Sequence, residues 1–187
     1  MAQPAGETDV LLQRATLALQ DGDLDAARTF FSIALAQNAD SLYARTKLAT
    51  ISAMEGDLDA AERLLREVLA RAPGYKLALN NLGSVQIEKG HYTQAIECLT
   101  AATRIDARYA KAHHNLAIAQ RKVGDLRGSV RSLKRSMLLQ LRLDAKGELA
   151  RLRRGRWARS VRKRNREAGS TDDATREPAS PERDATS

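Results

Sequence analysis

The most reactive side chains are one cysteine and three histidines, and their spacing decides whether catalytic or metal chemistry is expected. Cys98 is the single thiol, and no histidine stands at a spacing that would activate it as a nucleophile. His113 and His114 are adjacent, so on a helix they would point about 100° apart, which suits a shared metal ion poorly. The sequence has no phosphate-binding glycine loop, nucleophile elbow or HExxH pattern. We therefore expect no enzyme, no catalytic residue, no metal and no cofactor.

Four glycines recur every 34 residues and organise most of the chain. Their surroundings repeat with them, as GDLDAA, GDLDAA, GHYTQA and GDLRGS beginning at Gly22, Gly56, Gly90 and Gly124. Such a period indicates stacked supersecondary units, none of which can bury its apolar face alone. The composition agrees, because aromatic residues make up only 4% and closely packed helices favour small side chains.

Other positions repeat with the glycines when the units begin at Thr8, Leu42, Lys76 and Ala110. Position 8 of each unit is small, position 20 is small, and position 24 is large and apolar: Ala15, Ala49, Gly83 and Ala117; Ala27, Ala61, Ala95 and Ser129; Phe31, Leu65, Leu99 and Leu133. On these residues the sequence resembles the tetratricopeptide-repeat family. The resemblance implies an all-α fold, an α-solenoid of four helix-turn-helix units (8–41, 42–75, 76–109 and 110–143) in a right-handed superhelix. The glycine would end the first helix in a left-handed conformation, and the following Asp would cap the second.

The resemblance also implies a concave groove that is lined by the first helix of each unit and binds a protein partner. In this family positions 2, 5, 6, 9, 12 and 13 usually meet the ligand, and Asn81 and Asn115 share position 6, where an amide can grip a peptide backbone. The groove positions are nearly neutral in the first unit and basic in the last, and this distribution favours an extended peptide or helix with acidic groups. The candidate peptide-binding residues are Lys47, Asn80, Asn81, Lys111, His114, Asn115, Arg121 and Lys122.

The net charge of +8 is concentrated near the C-terminus. Residues 142–166 contain 11 basic and two acidic side chains, and 167–187 contain two basic and six acidic ones. Residues 144–166 are predicted to form a basic amphipathic helix that caps the last repeat, with a weak point near Gly155. The alternative is an anionic-partner site for nucleic acid, an acidic protein or an anionic membrane surface. Its candidate residues are Arg153, Arg154, Arg156, Trp157, Arg159, Arg162, Lys163, Arg164 and Arg166.

The two ends and the cellular location follow from composition. Residues 1–7 are expected to be flexible and lack the pattern of a signal peptide, and 167–187 are polar and acidic enough to predict disorder. No run of 18 apolar residues predicts a transmembrane segment. With one thiol, these features favour a cytoplasmic protein, or a nuclear one if the source is eukaryotic, since 153–166 would resemble an import signal.

Three functions therefore remain open at the level of sequence. The leading one is an adaptor or scaffold that binds a partner peptide or helix in its groove. The second is nucleic-acid or anionic-surface binding through the arginine-rich segment 153–166, with the repeats as a handle. The third is assembly through stacking of the terminal repeats.

Overall fold

A computed structural model describes the backbone of residues 5–169 and the side chains of residues 6–151, and every element within that range is helical. The N- and C-terminal segments 1–4 and 170–187 lie outside the described residues. The eight helices are α1 (Ala5–Asp21), α2 (Leu24–Gln37), α3 (Leu42–Met54), α4 (Leu58–Arg71), α5 (Lys76–Glu88), α6 (Tyr92–Ile105), α7 (Ala110–Lys122) and α8 (Leu126–Gly169).

The helices pack as consecutive pairs, as the 34-residue period predicts. α1 packs on α2, α3 on α4 and α5 on α6, and the second helix of each pair contacts the first helix of the next. The first helices also neighbour one another, since α3 contacts α5 and α5 contacts α7. α7 and α8 are joined through serines, of which Ser129 donates to the Ala117 carbonyl at 2.8 Å and Ser136 to the Ala110 carbonyl at 2.9 Å. The fold is an α-solenoid of helix pairs.

The turn inside each pair confirms the predicted role of the recurring glycine. Gly22, Gly56, Gly90 and Gly124 have φ angles of 82°, 88°, 79° and 86°, a left-handed conformation that costs other residues more. The next residue then donates its N–H back over the turn to the preceding helix, as from Asp57 to the Ser52 carbonyl at 2.9 Å. The Asp57 carboxylate in turn accepts from the Ala60 N–H at 2.8 Å and caps α4.

The core lies between the paired helices and between neighbouring pairs. Positions 20 and 24 of the first three units are at most 1% exposed, because each small residue lets a large one from the facing helix approach. Gly83 shows how close that approach is, since a Cβ there would lie 2.5 Å from Cγ of Leu99. The repeat positions therefore set the helix-to-helix distances.

The last helix is much longer than the second helices before it. α8 belongs to two compact units, one that ends at Gln140 and one that begins at Leu141. Where we expected a separate helix over 144–166, the backbone is one helix that passes Gly147 and Gly155 without a break and includes residues 167–169. Each glycine costs a helix only about 1 kcal/mol relative to alanine, and the flanking Leu, Ala and Arg residues favour helix. Within the second unit, Leu141, Leu143 and Leu149 are exposed by 55–67%.

Candidate groove of the repeat stack

Many of the groove positions implied by the repeat pattern line cavities along the first helices of the described structure. Three cavities lie along α1, α3, α5 and α7, and together they define what is called the groove surface here. The first holds about 550 Å³ and is lined by α1 and Tyr43, the second about 220 Å³ between α3 and α5, and the third about 480 Å³ between α7 and α8. Four of the candidate peptide-binding residues line these cavities, and four do not: Asn81, Lys111, His114 and Asn115 do, whereas Lys47, Asn80, Arg121 and Lys122 do not.

The N-terminal end of the groove surface is close to neutral and combines polar with apolar side chains. Its cavity is lined by Asp9, Gln13 and Thr16 of α1 together with Tyr43 of α3. The hydroxyls of Thr16 and Tyr43 lie 3.3 Å apart, and the ammonium of Lys47 lies 5.3 Å from the centre of the Tyr43 ring. The Lys47 charge is therefore held against an aromatic face, which favours a cation.

The middle of the groove surface carries a continuous chain of side-chain hydrogen bonds across three first helices. Asn115 of α7 donates to Asn80 of α5 at 3.1 Å, Asn80 donates to Asn81 at 3.2 Å, and Asn81 donates to Thr50 of α3 at 3.0 Å. The second N–H of Asn115 goes to the Ser84 hydroxyl at 2.9 Å. These bonds, here called the amide ladder, fix the orientation of each amide before any ligand arrives.

The asparagines of the amide ladder differ in which hydrogen-bond donors and acceptors they have left for a ligand. Asn80 is 5% exposed, and both ends of its amide are engaged, so it positions its neighbours. Asn115 is half-buried and has used both N–H groups, while its Oδ1 accepts no hydrogen bond from the described residues. Asn81 retains one N–H. A backbone N–H or carbonyl of a bound peptide would satisfy these groups.

The C-terminal end of the groove surface is basic. The third cavity is lined by Lys111, His114 and Asn115 of α7, opposite Leu133 and Met137 of α8. Lys111, Arg121 and Lys122 are exposed, and none of the three has a carboxylate partner within residues 6–151. The ammonium of Lys122 lies 6.0 Å from the centre of the Tyr92 ring. A ligand that carries carboxylates would supply the missing partners.

Several basic residues outside the groove surface are, by contrast, paired. Lys89 contacts the carboxylates of Glu62 at 2.6 Å and Asp59 at 2.7 Å, and Arg66 contacts Glu62 at 2.6 Å. The hydrogen bonds from Lys89 and Arg66 lower the pKa of Glu62 from 4.5 to about 2. The buried amide of Gln86 donates to the same carboxylate at 2.9 Å. This cluster joins α4 to α5 and is a structural device.

The sequence pattern predicts the ladder asparagines as binding residues, but the candidate peptide-binding residues do not include their hydroxyl partners. Thr50 and Ser84 both stand at position 9 of their units, and Thr16 stands there in the first unit. The recurrence of a hydroxyl at one position of the first helices was the sequence feature that could have indicated these partners. Its meaning depends on the distance between neighbouring first helices, which only the structure supplies.

The candidates for chemistry lie on two helices, with His91 and Cys98 at α6 and His113 and His114 side by side on α7. Cys98 is half-buried on α6, and burial raises the pKa of its thiol, which opposes formation of the nucleophilic thiolate. His91 lies 2.9 Å from the Gln86 side chain, and His113 lies 3.2 Å from the Ala107 carbonyl. Among the described side chains, no three His, Cys, Asp or Glu residues are grouped to hold a metal ion.

The arginine-rich segment is described only at the level of its backbone. Residues 153–166 lie within α8, and the side chains of the candidate anionic-partner residues, Arg153, Arg154, Arg156, Trp157, Arg159, Arg162, Lys163, Arg164 and Arg166, lie outside the described residues. Of the helices in the described part of the chain, none is long and apolar enough to cross a membrane.

Comparison with known proteins identifies the repeat. Two family models, each described as tetratricopeptide repeat, match residues 12–76 and 52–120. No curated protein sequence is significantly similar to the chain.

Solved structures with the same fold include three informative neighbours. A thermophilic TPR protein of Thermus thermophilus is 25% identical, with a TM-score of 0.65 over 71% of this chain and 74% of that one. MamA from Desulfovibrio magneticus is 21% identical, with a TM-score of 0.60 over 73% and 77%. An O-GlcNAc transferase of Thermobaculum terrenum is 28% identical, with a TM-score of 0.60 over 64% of this chain and 23% of that one. The fold is a protein-interaction scaffold that is typically non-catalytic, although one of these neighbours is a transferase.

Proposed function

This chain belongs to the tetratricopeptide-repeat family, and we propose that it is a non-enzymatic adaptor that binds an extended, acidic segment of a partner protein along its groove surface. The amide ladder meets the partner's backbone, and the basic end meets its carboxylates. The observation that carries the proposal is the combination of oriented amides on α5 and α7 with exposed cations on α7 that have no carboxylate partner among the described side chains. Recognition by oriented amides alone would accept many sequences, whereas the added cations select acidic ones.

Each part of the groove surface has a separate role in this proposal. Asn81 and Asn115 contact the peptide backbone, and Asn80 holds both amides in place from its buried position. Lys111 and Lys122 attract acidic side chains at the C-terminal end. His114 and Arg121 line the same helix, and Lys47 marks the opposite limit of the basic region.

A peptide-selection experiment tests the charge preference and does not require an identified partner. A random display library is selected on the immobilised full chain, on Lys111→Glu/Lys122→Glu, and on a matched control, Arg63→Glu/Arg104→Glu. The control makes the same charge change at two exposed residues of α4 and α6. The wild type and the control are expected to enrich acidic peptides, and the groove variant to lose that enrichment. Equal enrichment on all three proteins would refute the groove model.

A second function has its own observation in the arginine-rich segment. Residues 153–166 contain eight Arg or Lys and no acidic residue, and their backbone is one continuous helix within α8. Charge of one sign on that scale exceeds what covering a repeat requires and suits the phosphates of a nucleic acid or an anionic surface.

Titration of a labelled oligonucleotide separates this second function from the first. The affinity of the full chain is expected to fall by at least roughly tenfold when salt rises from 50 to about 200 mM, because several counterions are released on binding. Replacing Arg153, Arg156, Arg159 and Arg162 by Ser should abolish binding, and Lys111→Glu/Lys122→Glu should leave most of it. Binding that is insensitive to salt would rule this function out.

A further inference from the structure

The C-terminal end of the repeat stack exposes apolar positions that the preceding units cover. Position 24 is 0–1% exposed in the first three units, but Leu133 in the fourth is 41% exposed. Leu126, Val130 and Met137 share its face of α8 by helical spacing and are 64%, 67% and 64% exposed. The exposed face contains a cavity of about 480 Å³, bounded in part by Leu133 and Met137. This face is called the tail face.

The N-terminal end shows the complementary pattern on α1. Positions 3 and 10 are 0–2% exposed in units two to four, whereas Val10 and Leu17, which occupy those positions in the first unit, are 50% and 59% exposed. Glu7 and Asp21 lie on the same side of α1, three residues before Val10 and four after Leu17. This face is called the head face.

Inside the stack, these same positions pack directly against one another. Phe31 at position 24 shares a buried cluster with Ala44 and Ile51 at positions 3 and 10 of the next unit. Leu65 meets Ala78 and Val85 in the equivalent way at the second junction. Leu133 on the tail face and Val10 and Leu17 on the head face are therefore the two halves of one further junction.

The charges of the two ends make that junction attractive between two copies. Residues 110–140 contain seven basic side chains and one acidic, and residues 6–37 contain five acidic and two basic. Arg127 and Lys134 flank the apolar row of the tail face by helical spacing, and Glu7 and Asp21 flank that of the head face. Two tail faces would repel each other, and so would two head faces, but a tail and a head attract.

Stacking of this kind would fill the third cavity of the groove surface, which Leu133 and Met137 help to line, and would leave the second cavity between α3 and α5 open. Lys47 and Asn81 stand at position 6 of units that are each followed by another unit, and both side chains remain partly exposed. Asn115 at position 6 of the last unit would keep the same access beside an added copy. Association would thus lengthen the groove.

We propose that the chain associates head to tail, with the first repeat of one copy seated on the tail face of another, in the place of a fifth repeat. The contact is heterologous, so it can extend to further copies. Its apolar rows supply the attraction, and the opposite charges at their edges fix the polarity.

Sedimentation velocity of the full chain over a ~100-fold range of concentration tests the proposal with two single variants. Met137→Glu places a carboxylate on the tail face, and this carboxylate repels the acidic head face. Leu17→Lys places an ammonium on the head face and opposes the basic tail face. Both side chains are mostly exposed, so the variants should fold, which circular dichroism checks. Ile105→Lys, at a residue 50% exposed in an interior unit, is the matched control.

The expected pattern is specific to head-to-tail contact. The wild type and Ile105→Lys should gain mass with concentration, and each end variant alone should stay monomeric. An equimolar mixture of the two end variants should dimerise, because one intact tail face and one intact head face remain. A monomeric wild type would overturn the proposal, as would a mixture that fails to dimerise. Loss of association in only one variant would overturn it as well, since symmetric pairing or another occupant would then use that face.

Discussion

One leucine position, sampled in two contexts, offers a direct test of how the repeats stabilise one another. Leu99 and Leu133 both stand at position 24, but Leu99 is covered by the next unit and is 0% exposed, whereas Leu133 is 41% exposed. The substitutions Leu99→Ala and Leu133→Ala remove the same three carbon atoms in both cases. Any difference between them reports the contribution of the following repeat.

The expected magnitudes follow from burial. Leu99→Ala leaves a cavity between α5, α6 and α7 and should lower the free energy of unfolding by about 3–4 kcal/mol, within the usual range for a buried leucine. Leu133→Ala removes a side chain that water already reaches and should cost about 1 kcal/mol. The difference between the two variants is therefore about 2–3 kcal/mol.

Urea unfolding followed by circular dichroism measures both values. The protein is kept dilute, so that association between copies does not cover Leu133. The slope of the transition should be the same in both variants and the wild type, which checks that the same surface is exposed on unfolding. Equal losses of stability in the two variants would refute the conclusion that each repeat is completed by the one after it.

Three further outcomes are expected from particular contacts. Lys89 and Arg66 lower the pKa of Glu62 from 4.5 to about 2, so its contribution to the free energy of unfolding is complete above about pH 4.5 and is lost as the pH falls toward 2. The substitution Glu62→Gln should therefore lower the free energy of unfolding at pH 7 by about 1–3 kcal/mol. It should also make stability less dependent on pH in the acid range. Gly83→Ala should destabilise the fold by about 1–3 kcal/mol because its Cβ would meet Leu99 at 2.5 Å, as thermal unfolding would show. Asn80→Ala should weaken binding of a selected acidic peptide several-fold in calorimetry although Asn80 is 5% exposed, because Asn115 loses its partner; unchanged affinity would show that the amide ladder does not position the groove.

The repeat geometry was largely predictable from the sequence. α3, α5 and α7 begin at Leu42, Lys76 and Ala110, the residues at which the period places the start of each unit. The glycine turns and the burial of positions 20 and 24 also follow from the pattern. Because the turn glycine and the buried positions recur every 34 residues, the assignment of helices and turns in one unit supports the same assignment in the others.

The ladder and the last helix were not predictable in the same way. The bond from Asn115 to Asn80 joins residues 35 positions apart and depends on the distance between α5 and α7. α8 continues because residues 139–146 lack the turn signals that end earlier helices, such as Pro73-Gly74 after α4. The missing turn signal indicates one long helix, whereas the expectation that residues 144–166 form a separate capping helix placed a boundary inside it.

The most direct test of groove binding is to observe the side-chain amides of the ladder during titration. Two-dimensional ¹⁵N–¹H spectra resolve the NH₂ groups of Asn81 and Asn115, and that of Asn38, an exposed residue after α2, serves as an internal control. On addition of an acidic peptide enriched by selection on the wild-type protein, the Asn81 and Asn115 signals should shift in step with occupancy, and the Asn38 signal should not move. Shifts confined to α2, α4 and α6, or to residues after 140, would contradict a function that rests on the groove surface.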